Sequence, residues 1–212
     1  NMSIRSRLLS VAVAGIATVS ALTPRPATAQ SLLEGYWNPL QHQDPHNYAA
    51  GPDPGEFPGL PLTAAARAIA SHYDENEMMI KELQCRPFAS TYGPRALSTL
   101  KIWETRDPET QEQIKIETTM AFAVQHRTIW MPASGMTEPP PSARHTWQGF
   151  STGRWVGNVL WVHTTHLKEF YLQRSQGLPL SDQAVMDERI FRYGNTLVDI
   201  MIISDPAYLA EP

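Results

Sequence analysis

The chain has 212 residues, 42% of them hydrophobic, enough for one globular unit with a real core. Its 17 basic and 21 acidic residues leave a net charge of −4, which argues against a nucleic-acid partner and against adhesion to anionic lipid. A single cysteine, Cys85, allows no intramolecular disulfide, so packing must hold the fold.

The first expected element is a targeting segment. Arg5 and Arg7 make a basic start, Leu8 to Val19 is apolar, and Ala27-Thr28-Ala29 reads as a cleavage site before Gln30. The apolar run is short for a membrane span, so a cleaved signal peptide over 1–29 and a periplasmic or secreted location are expected, with no span afterwards. Removing Arg5, Arg7 and Arg25 with it leaves 14 basic against 21 acidic residues, a charge of −7.

Residues 30–96 read as an irregular segment with a short helix. Pro and Gly crowd 51–61, GPDPGEFPGLP, and favour surface-following chain. Gly35-Tyr36-Trp37 resembles the Gly-x-Trp of the first lipocalin strand. Thr63 can cap a helix over Ala64 to His72, and Glu77 to Leu83 can add a helical turn before Pro87. Cys85, in Gln84-Cys85-Arg86-Pro87, matches no nucleophile motif and reads as a buried thiol.

From residue 97 to 212 the pattern is that of an antiparallel β domain, and 30–212 reads as one globular unit. Leu97 to Thr105 is a strand, Asp107-Pro108-Glu109-Thr110 a turn, and Ile114 to Met120 the alternating return. Arg127 to Met131 is a further strand, and Pro139-Pro140-Pro141 forces an extended loop. Gly157-Asn158 then sits between runs rich in Trp, Val and Thr, a hairpin signal. A two-residue turn pairs Val156 with Val159, Trp155 with Leu160, Gly153 with Val162, Ser151 with Thr164 and Gly149 with His166. One face carries Ser151, Gly153, Trp155, Leu160, Val162, Thr164 and His166; the other carries Phe150, Thr152, Arg154, Val156, Val159, Trp161, His163 and Thr165. Both faces are expected to be covered. Small residues beside Trp155 suggest that the first face lines a concavity.

Lys168 to Gln183 reads as a loop, and a second hairpin turns at Gly194-Asn195. Its register puts Met186, Glu188, Ile190, Arg192, Leu197, Asp199, Met201 and Ile203 on one face. Three charges among apolar neighbours must be paired or carry a desolvation cost of several kcal/mol. Two readings follow: an Asp199–Arg192 bridge that fixes register, or a polar cluster in a pocket where burial raises a carboxylate pKa. About six antiparallel strands and one short helix give a mainly β fold, a curved sheet or lipocalin-like half-barrel.

Gly153-Arg154-Trp155…Gly157…Leu160…Val162…Thr164, then Arg174…Gly177…Pro179…Ser181-Asp182, Glu188-Arg189…Arg192 and Asp205-Pro206…Tyr208, resembles a family of exported bacterial proteins, mostly uncharacterised. These carry a GRWEGDTLVVDT-like hairpin followed by an SD…ER..R segment. The resemblance covers roughly residues 84–212 and implies a lipocalin-like curved sheet without implying an activity. Val156 and Asn158 stand where the family usually has acidic residues, and His163 where it often has Asp.

Three functions compete. The first is a binding module holding a small apolar or aromatic molecule between Trp155, Ser151, Leu160, Val162, Asp199 and Met201. The second is a cofactor-free isomerase, lyase or hydrolase, with His166 and Glu188 or Asp182 as acid and base and Arg192 as anion clamp. The third is an assembly role, the second face (Phe150, Val156, Val159, Trp161) meeting a partner or another copy of the chain. No phosphate loop, dinucleotide fingerprint or haem-attachment motif occurs, so no cofactor is expected. His163 and His166, three apart on a strand, should point to opposite faces, and His42 and His46 are separated by Asp44-Pro45, so no metal is expected either.

Overall fold

The fold is built around its two Gly-Asn hairpins. The computed structural model describes residues 33–40, 57, 59–74, 76, 87–92, 99–120, 125–173 and 177–212. The signal segment, His42, His46, the 77–83 turn, Cys85 and Arg174 lie outside them. Strands β5 (Phe150–Val156) and β6 (Val159–Thr165) pair in the expected register from Val156–Val159 to Ser151–Thr164. Strands β9 (Val185–Tyr193) and β10 (Thr196–Ser204) do the same around Gly194-Asn195, an unbroken ladder from Tyr193–Thr196 to Val185–Ser204. Gly157 and Gly194 both take φ 60°, and neither following Asn has a positive φ. That is the pattern of a type II′ turn, whose twist matches that of the strands it joins.

Four strands precede them: β1 (Gly35–Trp37), β2 (Leu100–Arg106), β3 (Gln113–Met120) and β4 (Gln125–Trp130). With the hairpins they form one sheet in the order β1-β2-β3-β4-β5-β6-β9-β10. The protein is mainly β, an eight-stranded sheet curled into a half-barrel, with one short helix. Gly35-Tyr36-Trp37 falls inside the segment expected to be irregular, yet it is the edge strand beside β2.

Two departures have clear causes. The 168–183 loop contains β7 (Phe170–Gln173) and β8 (Leu178–Leu180), a small antiparallel sheet. Gly177 and Pro179 read as turn punctuation, but Phe170, Leu172, Leu178 and Leu180 are all buried, and that burial decides the matter. The second departure is one parallel pairing in the sheet: Ile129 with Ser151 and Trp130 with Thr152, β4 beside β5. Parallel neighbours cannot share a tight turn. Residues 131–149 therefore make a crossover, starting in a 3-10 turn at Pro132–Ser134.

The interior divides into two clusters. Inside the curl, Ile102, Ile116, Ile129, Met131, Leu160, Val162 and Ile190 pack together, flanked by Trp155 and Leu197. The second cluster joins the β7–β8 pair to helix α1 (Ala64–Ser71) through Ala66, Ala70, Leu178 and Leu180. Thr63 caps that helix, accepting from the Ala66 N–H at 3.2 Å and donating to Ala207 O at 3.0 Å. His72 is its C-terminal cap rather than a helical residue.

The C-terminal chain is held by Asp205. Its carboxylate accepts from the Ser181 N–H (2.7 Å), the Ser181 hydroxyl (2.6 Å) and the Ala207 N–H (3.0 Å), and it is buried. Asp182 beside it is exposed. Ser181, not Asp182, does the structural work of that pair.

Candidate functional site

Alternation on β5, β6 and β9 sends Ser151, Thr164 and Glu188 inward, where Arg127 from β4 meets all three. The Arg127 Nη1 donates to Glu188 Oε1 at 2.9 Å, and its Nη2 donates to Glu188 Oε2. Its Nε donates to Ser151 Oγ at 3.0 Å, and Nη2 also donates to Thr164 Oγ1 at 2.7 Å. Ser151 and Thr164 share a further bond at 2.9 Å. Burial works against the Arg127 charge, but Glu188 more than offsets it and holds the guanidinium pKa above its ordinary value. Each of the four side chains hydrogen-bonds to at least one other member of the cluster.

Asp199 lies near it without joining it. The residue keeps partial exposure, but its Oδ1 is shut from water and has no hydrogen-bond partner. Burial first, and then the Glu188 charge, push its carboxyl well above the usual carboxylate range, against the pull of Arg127. One cation thus faces two inward carboxylates.

The expected Asp199–Arg192 bridge does not form. Arg192 is exposed; its Nε donates to Gly194 O at 2.6 Å and its guanidinium lies 5.7 Å from the Trp37 ring centre. Glu188 takes Arg127 instead. Arg127 is absent from the residues expected in the site, although its place two residues before Ile129 puts a charge on the apolar face of β4.

His166 also leaves the expected face. The β5–β6 ladder ends at Phe150–Thr165, so Gly149 and His166 do not pair within it. His166 takes a left-handed φ of 55°, which breaks the alternation that pointed it inward. Its ring lies 5.0 Å from that of His145, and Nδ1 is 3.0 Å from Thr165 Oγ1. No hydrogen bond or ion pair joins His166, Asp182, Glu188 and Arg192 to one another among the described residues.

The interior concavity is filled. A Cβ on Gly153 would stand 2.7 Å from Ile129 Cγ2 and 3.0 Å from Met131 Sδ, so the small residues admit core side chains from β4 and the crossover. Leu160 and Val162 are buried in that core, Ser151 is bound to Arg127, and Met201 faces Glu188 across the β9–β10 ladder. Trp155 spends its indole N–H on Gln113 Oε1 at 2.8 Å.

The usable space is on the opposite face, which was expected to be covered. There the crossover forms one wall, through Pro132, Met136 and Thr137, over a groove of about 340 Å³. Two cross-strand rows make its floor. One is Trp130, Thr152, His163 and Asp187, directly paired over β4, β5, β6 and β9. The other is Arg154, Trp161 and Arg189. Trp161 is flanked by two guanidinium groups, with Arg189 3.8 Å and Arg154 5.0 Å from its ring centre. Neither arginine has a carboxylate within 4 Å among the described residues. His163 Nδ1 is 2.9 Å from Asp187 Oδ1, and both residues are exposed in part.

Two other polar groupings are satisfied internally or too small. On the outer face, Glu117 meets Lys115 (3.0 Å), His126 (3.1 Å) and Thr105 (3.2 Å), with His126 stacked on Trp103. A recess of about 20 Å³ beside Ser90, Gln125 and Gln148 has room for about one water. Among the described residues no three His, Cys, Asp or Glu side chains are grouped as a metal would need, and no helix is long and apolar enough to cross a membrane.

No family model matches the chain, and neither a curated protein nor a solved structure shows significant similarity to it.

Proposed function

We propose that the protein is an exported binding protein for a small aromatic molecule bearing an anionic group, held in the outer groove. The observation that carries this reading is the Arg154–Trp161–Arg189 row: a flat indole flanked by two guanidinium groups that no carboxylate pairs with among the described residues. Planar guanidinium groups stacked on an indole offer a flat cationic surface to an aromatic ring, and their forks take carboxylates and related anions. The groove volume of about 340 Å³ falls within the range of small-molecule sites. Met136 and Pro132 add apolar wall, so ring and charge each have a complement. Export rests on the basic, apolar and Ala-x-Ala pattern of the first 29 residues.

Titration of the protein with 1-naphthoate, read by tryptophan fluorescence and calorimetry, tests the reading. Saturable binding is expected, weakened at least about tenfold by Arg154→Met or Arg189→Met, the loss of about 1.4 kcal/mol. Trp161→Leu should weaken it, while Trp155→Phe in the interior should not. Equal affinity for naphthoate and the neutral 1-naphthalenemethanol, or binding that Trp155→Phe abolishes and Trp161→Leu spares, overturns the reading.

A further inference from the structure

We propose that the His163–Asp187 pair is a general base acting on the molecule in the groove, making the protein an esterase for small aromatic esters that carry a carboxylate. The inference rests on the binding reading above and adds a reaction to it.

The pair differs from the other described histidines in partner and place. His72 and His145 hold backbone carbonyls, at 2.7 Å from Ala68 O and 2.8 Å from Leu167 O. His166 meets a hydroxyl, and His126 meets a Glu117 already held by Lys115 and Thr105. His163 alone among them offers Nδ1 to a carboxylate while lining the large groove. That contact fixes the tautomer: Nδ1–H donates to Asp187, and Nε2 carries the lone pair that can take a proton. An isolated exposed pair of this kind contributes under about 1 kcal/mol and does nothing more. Here a second row of groups gives it something to act on.

The spacing of the two rows sets the substrate. His163 and Trp161 are two residues apart on one strand and face the same way, about 7 Å along the sheet. That is the length of a para-substituted benzoate. A carboxylate held by Arg154 and Arg189 leaves the ring lying between the two rows and puts a para ester over His163 and Asp187.

The step balances without a cofactor. His163 Nε2 removes a proton from water as the water oxygen bonds to the ester carbonyl carbon, and the carbonyl π pair moves onto oxygen. Collapse re-forms C=O and breaks the C–O bond to the phenol, and the imidazolium returns its proton to the departing oxygen. An acid and a hydroxybenzoate leave. Asp187 is a positioning residue, since it touches the imidazole and not the ester.

Hydrolysis of 4-acetoxybenzoate, followed by release of 4-hydroxybenzoate, is the test, with the non-hydrolysable ketone 4-acetylbenzoate as a parallel binding probe. Turnover should exceed that of equimolar free imidazole by at least about 100-fold and fall by a similar factor in His163→Gln. The ketone should bind wild type and His163→Gln alike, which also shows that the variant is folded. Asp187→Asn should lower kcat and leave KM unchanged, as loss of positioning requires. Ketone binding without turnover above imidazole, or turnover that His163→Gln leaves intact, overturns the esterase and spares the binding protein. Failure of the ketone to bind wild type overturns both.

Discussion

Arg127 and Glu188 sit on strands three places apart in the sheet, yet they hold each other in a bidentate ion pair inside the curl. In a flat sheet those strands would lie about 14 Å apart, so the contact exists because the sheet bends. Ser151 and Thr164, on the two strands between, are short enough to let the guanidinium pass, and both bond to it on the way. Side-chain exposure of 6% for Arg127 and 0% for Glu188 makes this a buried pair, with a desolvation cost that its partners must offset.

Breaking it should be costly. Arg127→Met leaves Glu188 uncompensated beside Asp199 and is expected to lose about 3–5 kcal/mol in a denaturant melt. Arg127→Met with Glu188→Leu should recover much of that, because apolar replacements of buried pairs are often tolerated. Arg192→Met, at an exposed position, should stay within about 0.5 kcal/mol of wild type. Equal losses for Arg127→Met and Arg192→Met would contradict the pairing.

Asp199 gives stability a pH dependence of definite sign. Its folded-state pKa is raised, by burial first and by Glu188 second, so the folded protein holds this proton more tightly than the unfolded chain does. The contribution is fully present below the unfolded value of about 3.9 and is lost as pH rises through the raised folded value. Asp199→Asn removes that loss. Paired urea melts should show the variant gaining on wild type as pH increases from about 4 to about 8. A constant difference across that window would mean Asp199 ionises freely.

Gly153 is expected to be intolerant of any side chain. A Cβ there meets Ile129 at 2.7 Å and Met131 at 3.0 Å, so Gly153→Ala must displace the core. Overpacking of this kind costs about 1–3 kcal/mol. A neutral or stabilising effect in a thermal or denaturant melt would reveal an empty space beside Trp155.

The C-terminal chain should loosen when Asp205 is removed. Asp205→Ala strips partners from two N–H groups and the Ser181 hydroxyl, two of them donated by one residue. A loss of roughly 2–3 kcal/mol is expected, with amide exchange over residues 205–209 speeded more than in the sheet. Unchanged exchange there would show that the hydrogen bonds to Asp205 do not hold the segment.

Local rules carried much of the fold. Gly157-Asn158 and Gly194-Asn195 specify their turns through glycine's access to positive φ, and strand alternation then assigns Glu188 to an inner face and His163 to an outer one. These depend on neighbours in sequence, so the sequence by itself determined both hairpin registers and the mainly β class. It did not determine which cation serves the inward carboxylates: alternation offered Arg192 to Asp199, but Arg192 is exposed, and the curvature of the sheet brings Arg127 to Glu188. Nor did it reveal the groove. That depends on β4 and β5 lying parallel, which sends Pro132–Thr137 over the outer face, while Ile129 and Met131 fill the inner one against Gly153. Contacts between segments so distant in the chain leave no periodicity in it; they are decided by packing alone.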